Sequence, residues 1–223
     1  QNLLTNPLFL KYFFNSITVS FFTSLFFLIV ASLAGYALSH LKLRFKISIE
    51  FLLLLTCLFP QIIFLIPLYE MIAKFNLISN ILSLVIPYIA FSLPLAIWMM
   101  AGFFRTIPKE IQEQAMVDGF SRIKILRKII LPLSWPALAT CAILIFIGPF
   151  AWNEFLFALT FTLTNEMRTV PVAIALISGA SQFELPWGNI MAASVIVTIP
   201  VVVLVLIFQR RIVSGLTAGA VKG

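Results

Sequence analysis

The chain has 223 residues, of which 61% are apolar and 10% are charged, and its formal net charge is +7. A soluble domain averages about 45–50% apolar and about 25% charged residues, and one of this length could not bury so much apolar surface. Several apolar runs reach about 20 residues, the length that spans a bilayer. The composition therefore excludes an ordinary soluble domain and predicts an all-α membrane protein.

Five apolar segments follow one another along the chain. We predict spans at about 15–39, 48–69, 81–104, 137–159 and 189–208, so that the transmembrane domain covers residues 15–208. Residues 1–14 mix aromatic and polar side chains and are expected to form an external segment before the first span, and residues 209–223 form a C-terminal tail. The chain starts at Gln1 without a signal pattern, and we expect that it begins part-way into a longer gene product.

Prolines lie inside four of the five predicted spans. Each proline removes one backbone hydrogen bond and bends a helix. Two interpretations stay open, which are kinks that help helices pack and helices shaped around a translocation path. The two cysteines, Cys57 and Cys141, lie in apolar runs without metal-ligand spacing, and we expect both to be small buried side chains and no metal site.

Positive charge is concentrated on one side of the predicted membrane domain. The loops after the first, third and fifth spans hold twelve of the fifteen Lys and Arg residues. Because basic residues favour the cytoplasmic side, this bias places the long polar loop at 105–136 and the C-terminus in the cytoplasm. The same bias explains the net charge, so no nucleic-acid partner is expected.

The polar loop at 105–136 begins with the pattern of an amphipathic helix. Pro108 suits a helix start, because its backbone angle is preset for the first turn. The residues from 109 to 117 are good helix formers, and Ile107, Ile111 and Ala115 recur at four-residue spacing. We therefore predict a helix at about 109–117 with one apolar face.

A glycine separates this helix from a second one. Gly119 is the residue type usual just past a helix end, and Ser121 can cap the next helix. The second helix carries four basic residues around an apolar stripe formed by Ile125, Leu126, Ile129 and Ile130. Prolines at 132 and 136 then bend the chain back into the bilayer. This pattern fits equally a docking loop for a soluble partner and a solvated loop whose helices lie on the membrane without one.

A family resemblance decides between these two interpretations. The loop reads Glu113-Gln114-Ala115-x3-Gly119-x9-Ile129-x-Leu131-Pro132, which resembles the E-A-A-x3-G-x9-I-x-L-P loop of ABC importer permeases and departs from it only at Gln114. Trp152-Asn153-Glu154-Phe155 and the ending at 215–223 resemble the MalG-like permease subunits of maltose-type carbohydrate importers. That family has six spans, so the resemblance implies that its first span lies before Gln1.

The resemblance implies a fold, a mechanism and partners. The fold would be a type I ABC importer transmembrane domain in a bacterial inner membrane, without catalytic residues of its own. Partners would be a second, MalF-like permease, two cytoplasmic ATPase subunits that bind ATP and Mg²⁺, and an extracytoplasmic substrate-binding protein. The segment at 160–188 would approach that binding protein. The C-terminal tail would reach toward the ATPase pair with Gly215, Thr217 and Gly219.

The resemblance also assigns roles within the loop. Glu113 would accept a charge-assisted hydrogen bond from the ATPase, and Gly119 would permit the sharp turn. Ile111, Ala115 and Met116 would fill a cleft of the ATPase, with Asp118 at the end of the docking helix. No phosphate-binding G-x-x-x-x-G-K-[ST] sequence occurs in the chain, which agrees with ATP hydrolysis by a separate subunit.

Polar residues within the predicted spans are candidates for a translocation path, because ionisable groups are costly in a bilayer. The candidates are Gln61, Ser92, Asn153 and Glu154. At 1.5 Å per residue, Glu154 would lie roughly 25 Å along span four, near the outer boundary. It could pair with a neighbouring helix or contact a solute directly, and both interpretations stay open.

The solute is expected to be a sugar or a sugar-like polyol, by resemblance. The alternatives are the same architecture with glycerol phosphate or another solute, an ion-coupled secondary transporter, and a purely structural membrane partner. A secondary transporter would show internal repeats of spans, of which the sequence has no convincing example, and a purely structural partner would not need the spacing of the polar loop.

Overall fold

The structure is a computed structural model that describes residues 7–148, 151–177 and 186–220. The regular elements of those ranges are helices without strands, as predicted. The α-helices are α1 (Pro7–His40), α2 (Lys46–Thr56), α3 (Leu65–Lys74), α4 (Leu82–Phe104), α5 (Lys109–Val117), α6 (Arg122–Ile125), α7 (Leu131–Leu133), α8 (Trp135–Ile147), α9 (Leu156–Phe161), α10 (Val170–Ala175) and α11 (Trp187–Ala220). Two 3₁₀ turns at Gln61–Phe64 and Asn165–Met167 and a π-helical turn at Leu126–Ile130 complete them.

Three helices are long and apolar enough to cross a membrane, namely α1, α4 and α11 as far as Gln209. They correspond to the first, third and fifth predicted spans, and two broken helix pairs raise the total to at most five. The described part of α1 already begins at Pro7, eight residues before the predicted start at residue 15. α11 continues to Ala220 and so runs through most of the predicted tail.

The second predicted span is broken. α2 ends at Thr56 and helical structure resumes only at Gln61, so the span predicted at 48–69 corresponds to two helical segments that meet at 86°. Pro60 explains the break, because it cannot donate a backbone hydrogen bond and disfavours helical geometry at the residue before it. Pro67 is tolerated in the first turn of α3, where its missing N–H would have no partner inside the helix.

The fourth predicted span, at 137–159, is likewise divided between two helices. α8 ends at Ile147, directly before the Gly148-Pro149 pair, and a separate short helix, α9, begins at Leu156. The bend predicted at the prolines of the polar loop is confirmed, since the segments Arg122–Leu133 and Trp135–Ile147 meet at 80°.

The chain forms two compact units. Unit 1 comprises Gln1–Ser24, Pro60–Ala90 and Ile145–Leu206. Its turn between α3 and α4 is joined to the segment after α9, because the Ser79 N–H donates to the Phe161 carbonyl at 2.8 Å and the Ser79 hydroxyl accepts from the Leu163 N–H at 3.0 Å. The start of α1 is joined to the turn before α10, where the Val170 N–H donates to the Ser16 hydroxyl at 2.9 Å.

Unit 2 comprises Leu25–Phe59, Phe91–Leu144 and Ile207–Gly223. In its described part, α1 and α4 approach closely at Gly35, where a Cβ atom would lie 2.8 Å from the Met100 Cβ. Cys141 is buried as expected, but Cys57 is exposed, so that part of the prediction is wrong. Cys57 directly follows the last residue of α2, at the helix end that precedes the break.

Candidate functional site

The polar loop folds as a helix, a glycine turn and a second helix. The first helix, α5, spans Lys109–Val117, the same bounds that the sequence predicts. It ends in a paired hydrogen-bond motif, because the Gly119 N–H donates to the Met116 carbonyl at 3.1 Å and the Phe120 N–H donates to the Ala115 carbonyl at 2.9 Å. Gly119 has a φ of 79°, a left-handed conformation that this motif requires and that glycine adopts at least cost.

One face of α5 is covered by the chain itself. Ala115 is 5% exposed and Gln112 is 8% exposed, and Ile111 is half-buried beside them. The predicted apolar face is therefore confirmed. The expectation that Ala115 fills a cleft of a partner stays a prediction, and its burial within the chain does not favour that role.

The opposite face of α5 is exposed and forms what we call the α5 stripe. Its members share i, i+3, i+4 and i+7 spacing and lie on one side of the helix. They are Glu110, Glu113, Gln114 and Val117. Gln114, where the sequence departs from the resembled motif, therefore needs no repacking. Met116 and Asp118 are also exposed.

Val117 is a surface residue that the sequence argument missed. It is 87% exposed at the C-terminal end of α5, although it is apolar. Its position could have been found, because it lies about half a turn from Ala115 around a helix of 3.6 residues per turn. An apolar residue opposite the buried face is a candidate contact for a partner.

The second helix of the loop contains a π-helical turn. Ser121 occupies the capping position before α6 but makes no side-chain capping bond. The predicted apolar stripe is confirmed, since Ile125, Leu126 and Ile130 are buried and Ile129 is half-buried. The π-helical turn at Leu126–Ile130 adds a residue to the helical repeat, a feature that is frequent at functional sites.

An ion pair anchors the start of the polar loop. Arg105 follows α4 and donates to the carboxylate of Glu50 on α2. Both side chains are partly exposed, so the pair contributes little to stability. Its geometric effect is to hold the entrance of the loop against α2.

Glu154 is buried in unit 1, and both oxygens of its carboxylate accept hydrogen bonds. It is 6% exposed, and its carboxylate accepts hydrogen bonds from the Phe157 N–H at 2.8 Å, from the Ala158 N–H at 3.0 Å and from the Tyr88 hydroxyl. It therefore caps the first turn of α9 and ties that turn to α4. Of the two open interpretations, pairing with a neighbouring helix is the one that the geometry supports.

The other candidate path residues lie apart from this carboxylate's bonds. Asn153 is exposed and donates to the carbonyl of Ile147, Gln61 is half-buried, and Ser92 is 1% exposed in unit 2. The glycines and threonine assigned to the tail fall within the range of α11. In the segment at 160–188, the stretch from 178 to 185 lies outside the described residues, as do positions 221–223 of the chain's ending.

A family match covers most of this architecture. Residues 28–218, which include the whole polar loop, match the binding-protein-dependent transport system inner membrane component family. The chain belongs to this family. It is thus a multi-pass membrane protein and a component of binding-protein-dependent transport, as the resemblance implied.

Three relatives cover almost all of the chain. The trehalose/maltose transport system permease protein MalG of Thermococcus litoralis is 47% identical over 97% of this chain and 76% of that protein. The trehalose transport system permease protein SugB of Mycobacterium tuberculosis is 43% identical over 100% of this chain and 81% of that protein. The sulfoquinovosyl glycerol transport system permease protein SmoH of Agrobacterium fabrum is 41% identical over 95% of this chain and 73% of that protein.

A solved structure has the same fold. It is a crystal structure of a bacterial ABC transporter involved in the import of the acidic polysaccharide alginate. The match covers 93% of this chain and 76% of that chain, with a TM-score of 0.76 and 24% sequence identity. This likeness confirms the ABC importer transmembrane fold.

Proposed function

We propose that this chain is the permease subunit of an ATP-driven importer for sugars or sugar-like polyols. The permeases of the trehalose/maltose, trehalose and sulfoquinovosyl glycerol systems support this substrate class, since each of these solutes carries a sugar unit. The chain itself would bind no ATP or Mg²⁺. Those ligands and the hydrolysis belong to separate ATPase subunits in the cytoplasm.

The observation that carries the proposal is the two-sided geometry of α5. One face is fixed to the chain by Gln112 and Ala115, and the α5 stripe is left free. A short helix that packs on its own chain with one face can bind in a groove of a partner with the other face. The stripe would enter a groove of an ATPase subunit, where Glu113 accepts a hydrogen bond and Val117 and Met116 supply apolar contact.

The rest of the loop would transmit the movement of the ATPase. The motif at Gly119 fixes, by two backbone hydrogen bonds, the direction in which the chain leaves α5, so a movement of α5 would be passed on to α6. The chain then turns by 80° at Ser134 into α8. A displacement of α5 would thereby reach a helix in the bilayer and shift the equilibrium between inward-open and outward-open states.

The assembly follows from the family. The chain would pair with a second, similar permease and receive solute from an extracytoplasmic binding protein, with its C-terminus in the cytoplasm. The concentration of Lys and Arg in the polar loop and after α11 supports this orientation. The residues 215, 217 and 219 would lie on the ATPase side.

The test is an ATPase assay on the full complex in lipid. The full-length protein is purified with the permease, ATPase and binding protein that its neighbouring genes encode. ATP hydrolysis is then measured with trehalose, maltose, a polyol and glycerol phosphate. We expect stimulation by a sugar or polyol. Stimulation by glycerol phosphate alone would show that the solute is glycerol phosphate and not a sugar or polyol. A purified complex without an ATPase would refute the coupling role of α5.

A variant pair isolates the stripe. Glu113→Lys reverses the charge and should abolish solute-stimulated hydrolysis, whereas Glu113→Gln keeps a hydrogen-bonding group and should retain part of it. A charge-assisted bond contributes about 1.5–3 kcal/mol, so we expect losses of roughly 10-fold or more for the lysine variant. Wild-type stimulation in both variants would contradict the docking of this residue.

A further inference from the structure

Two cavities lie side by side in unit 2 at the end of α1. The first, which we call the basic cavity, has a volume of about 550 Å³. Four cationic side chains line it against one carboxylate, that of Glu113. The four are Lys42, Lys46, Lys109 and Arg122. The acidic residue of α2, Glu50, is paired with Arg105 and also attracts Lys46, but it does not line the cavity. The balance favours an anionic occupant.

The second cavity, which we call the apolar cavity, is also about 550 Å³. Its lining is mostly hydrocarbon, from one face of α1 and from the start of the second loop helix, and includes Leu33, Ala37 and Ile123. The two cavities share Leu41 and Arg122. A cationic chamber therefore adjoins an apolar one, at the end of a helix that is long enough to cross a membrane.

Two buried polar atoms in these walls have no partner within the described chain. Gln112 lines the basic cavity and is 8% exposed, and its side-chain oxygen makes no hydrogen bond. Tyr36 lines the apolar cavity and is 5% exposed, and its hydroxyl makes none either. An unpaired buried polar atom is costly, so each is expected to meet a group that the chain does not supply. The amide oxygen requires a donor, and the hydroxyl can donate to an oxygen.

We propose that the two cavities together bind one anionic phospholipid with a hydroxylated headgroup, of the phosphatidylglycerol type. The phosphodiester would lie among the lysines and Arg122. A headgroup hydroxyl would donate to Gln112, and the Tyr36 hydroxyl would donate to an ester oxygen. The start of an acyl chain would occupy the apolar cavity. A free phosphate ion would leave the apolar cavity empty, and therefore fits less well. Basic pockets between helices at a membrane surface are suited to such headgroups.

The site has a consequence for the loop. Lys109 and Gln112 belong to α5, and Lys42 and Lys46 belong to the segment between α1 and α2. A bound headgroup would hold these two segments together and steady the covered face of α5. The lipid would thus hold α5 beside its covered face, next to Glu113 and Met116, which line the same cavity.

Native mass spectrometry of the intact complex tests this inference. The complex is prepared in phosphatidylcholine containing a small fraction of phosphatidylglycerol or of phosphatidic acid, and the retained lipid is counted. We expect phosphatidylglycerol to be retained preferentially. Phosphatidic acid lacks the glycerol headgroup with its alcohol hydroxyls, so it should be retained less. Gln112→Met should reduce the difference in retention between phosphatidylglycerol and phosphatidic acid.

Charge variants provide the matched control. Lys46→Gln/Lys109→Gln should lower phosphatidylglycerol retention by about tenfold, because each basic residue near an anionic lipid contributes several-fold. Arg127→Gln/Lys128→Gln removes the same charge from exposed residues outside both cavities and should change retention less than twofold. Ala37→Phe should obstruct the apolar cavity and also lower retention.

Three outcomes would overturn the inference. Equal retention by the two charge variants would mean non-specific attraction to the surface. Displacement of the lipid by millimolar inorganic phosphate would assign the basic cavity to a free anion. Unchanged lipid retention with loss of the ATPase subunit from the Lys46→Gln/Lys109→Gln complex would assign it to an acidic protein surface. The binding measurement uses neither ATP nor solute, so its failure is separable from failure of the proposed transport function.

Discussion

At the scale of single residues, Gly119 and Glu154 each meet a local structural requirement that also affects a distant part of the chain. Gly119 sets the direction of the chain between the two loop helices, and Glu154 accepts hydrogen bonds from three donors in a buried site. Each can be tested with a substitution that removes the requirement and another that preserves it.

For Gly119, the requirement is a left-handed backbone. A Cβ added there would meet no atom within 4 Å, so a substitution is limited by the backbone angle and not by space. Gly119→Val should cost about 1–2 kcal/mol and lower solute-stimulated ATP hydrolysis, because L-residues clash with their own carbonyl in this conformation. Gly119→Asn should stay close to wild type, since asparagine tolerates it. Equal loss in both variants, measured in the reconstituted complex, would mean that the glycine acts through something other than φ.

For Glu154, the requirement is an acceptor. Glu154→Leu leaves the N–H groups of Phe157 and Ala158 buried without partners, at a cost of about 1–3 kcal/mol each. Glu154→Gln keeps one acceptor oxygen and should lose less, and Tyr88→Phe leaves the cap of α9 intact. Thermal unfolding in detergent should rank Glu154→Leu as the least stable of the three. A Glu154→Leu protein that is stable but inactive in transport would instead favour direct contact with the solute.

At the scale of elements, the exposed face of α5 can be tested for ATPase binding without changing the stability of the fold. Val117 is 87% exposed, so changing it should not affect the stability of this chain. Val117→Asp should reduce co-purification of the ATPase subunits, because burying an unpaired carboxylate at an interface is costly. Val117→Ile keeps the apolar contact and should retain them. Full ATPase recovery with Val117→Asp would place the interface on another face of the loop.

The packing of α1 against α4 is a second property of elements. At Gly35 an added Cβ would lie 2.8 Å from the Met100 Cβ and 3.0 Å from the Ala101 nitrogen, and Met100 is fully buried and cannot yield. Gly35→Ala should therefore destabilise the protein by about 1–3 kcal/mol.

Gly102 is the matched control, because an added Cβ there meets nothing within 4 Å. Gly102→Ala should stabilise α4 by about 0.5–1 kcal/mol through helix propensity. The measurement is thermal unfolding of both variants in the same detergent. Similar shifts for the two alanines would show that the close approach at Gly35 does not limit packing.

The difference between what could and could not be predicted also belongs to elements. The bounds of α5 follow from its own sequence, because Pro108 and the Asp118-Gly119 pair act within one turn of the helix ends. The end of α8 at Ile147 does not follow from hydropathy, because the apolar run continues past it, although the Gly148-Pro149 pair marks the place in the sequence. The burial of Ala115 within its own chain was missed because periodicity shows that a face is apolar and not what covers it. The partner of Glu154 lies 66 residues away, beyond any local pattern.

At the scale of the whole molecule, α8 raises a question of topology. It has 13 residues and is therefore about 20 Å long, which is shorter than the roughly 30 Å hydrocarbon core of a bilayer. A crossing between the polar loop and the segment after α9 would have to be completed by the chain beyond Ile147. The charge bias predicts that this crossing exists, since the polar loop is basic and the region around 165 is not.

Cysteine labelling in intact cells tests the crossing directly. The background is Cys57→Ser/Cys141→Ala, and single probes are introduced by Lys128→Cys in the polar loop and by Asn165→Cys after α9, both at exposed positions. A membrane-impermeant maleimide should label the probe at 165 from outside and the probe at 128 only after permeabilisation. The cysteine-free background should stay unlabelled. If both probes react from the same side, α8 and α9 form a re-entrant loop and the chain has one crossing fewer. The C-terminus would then lie on the side opposite the polar loop, and its approach to the same ATPase would be impossible.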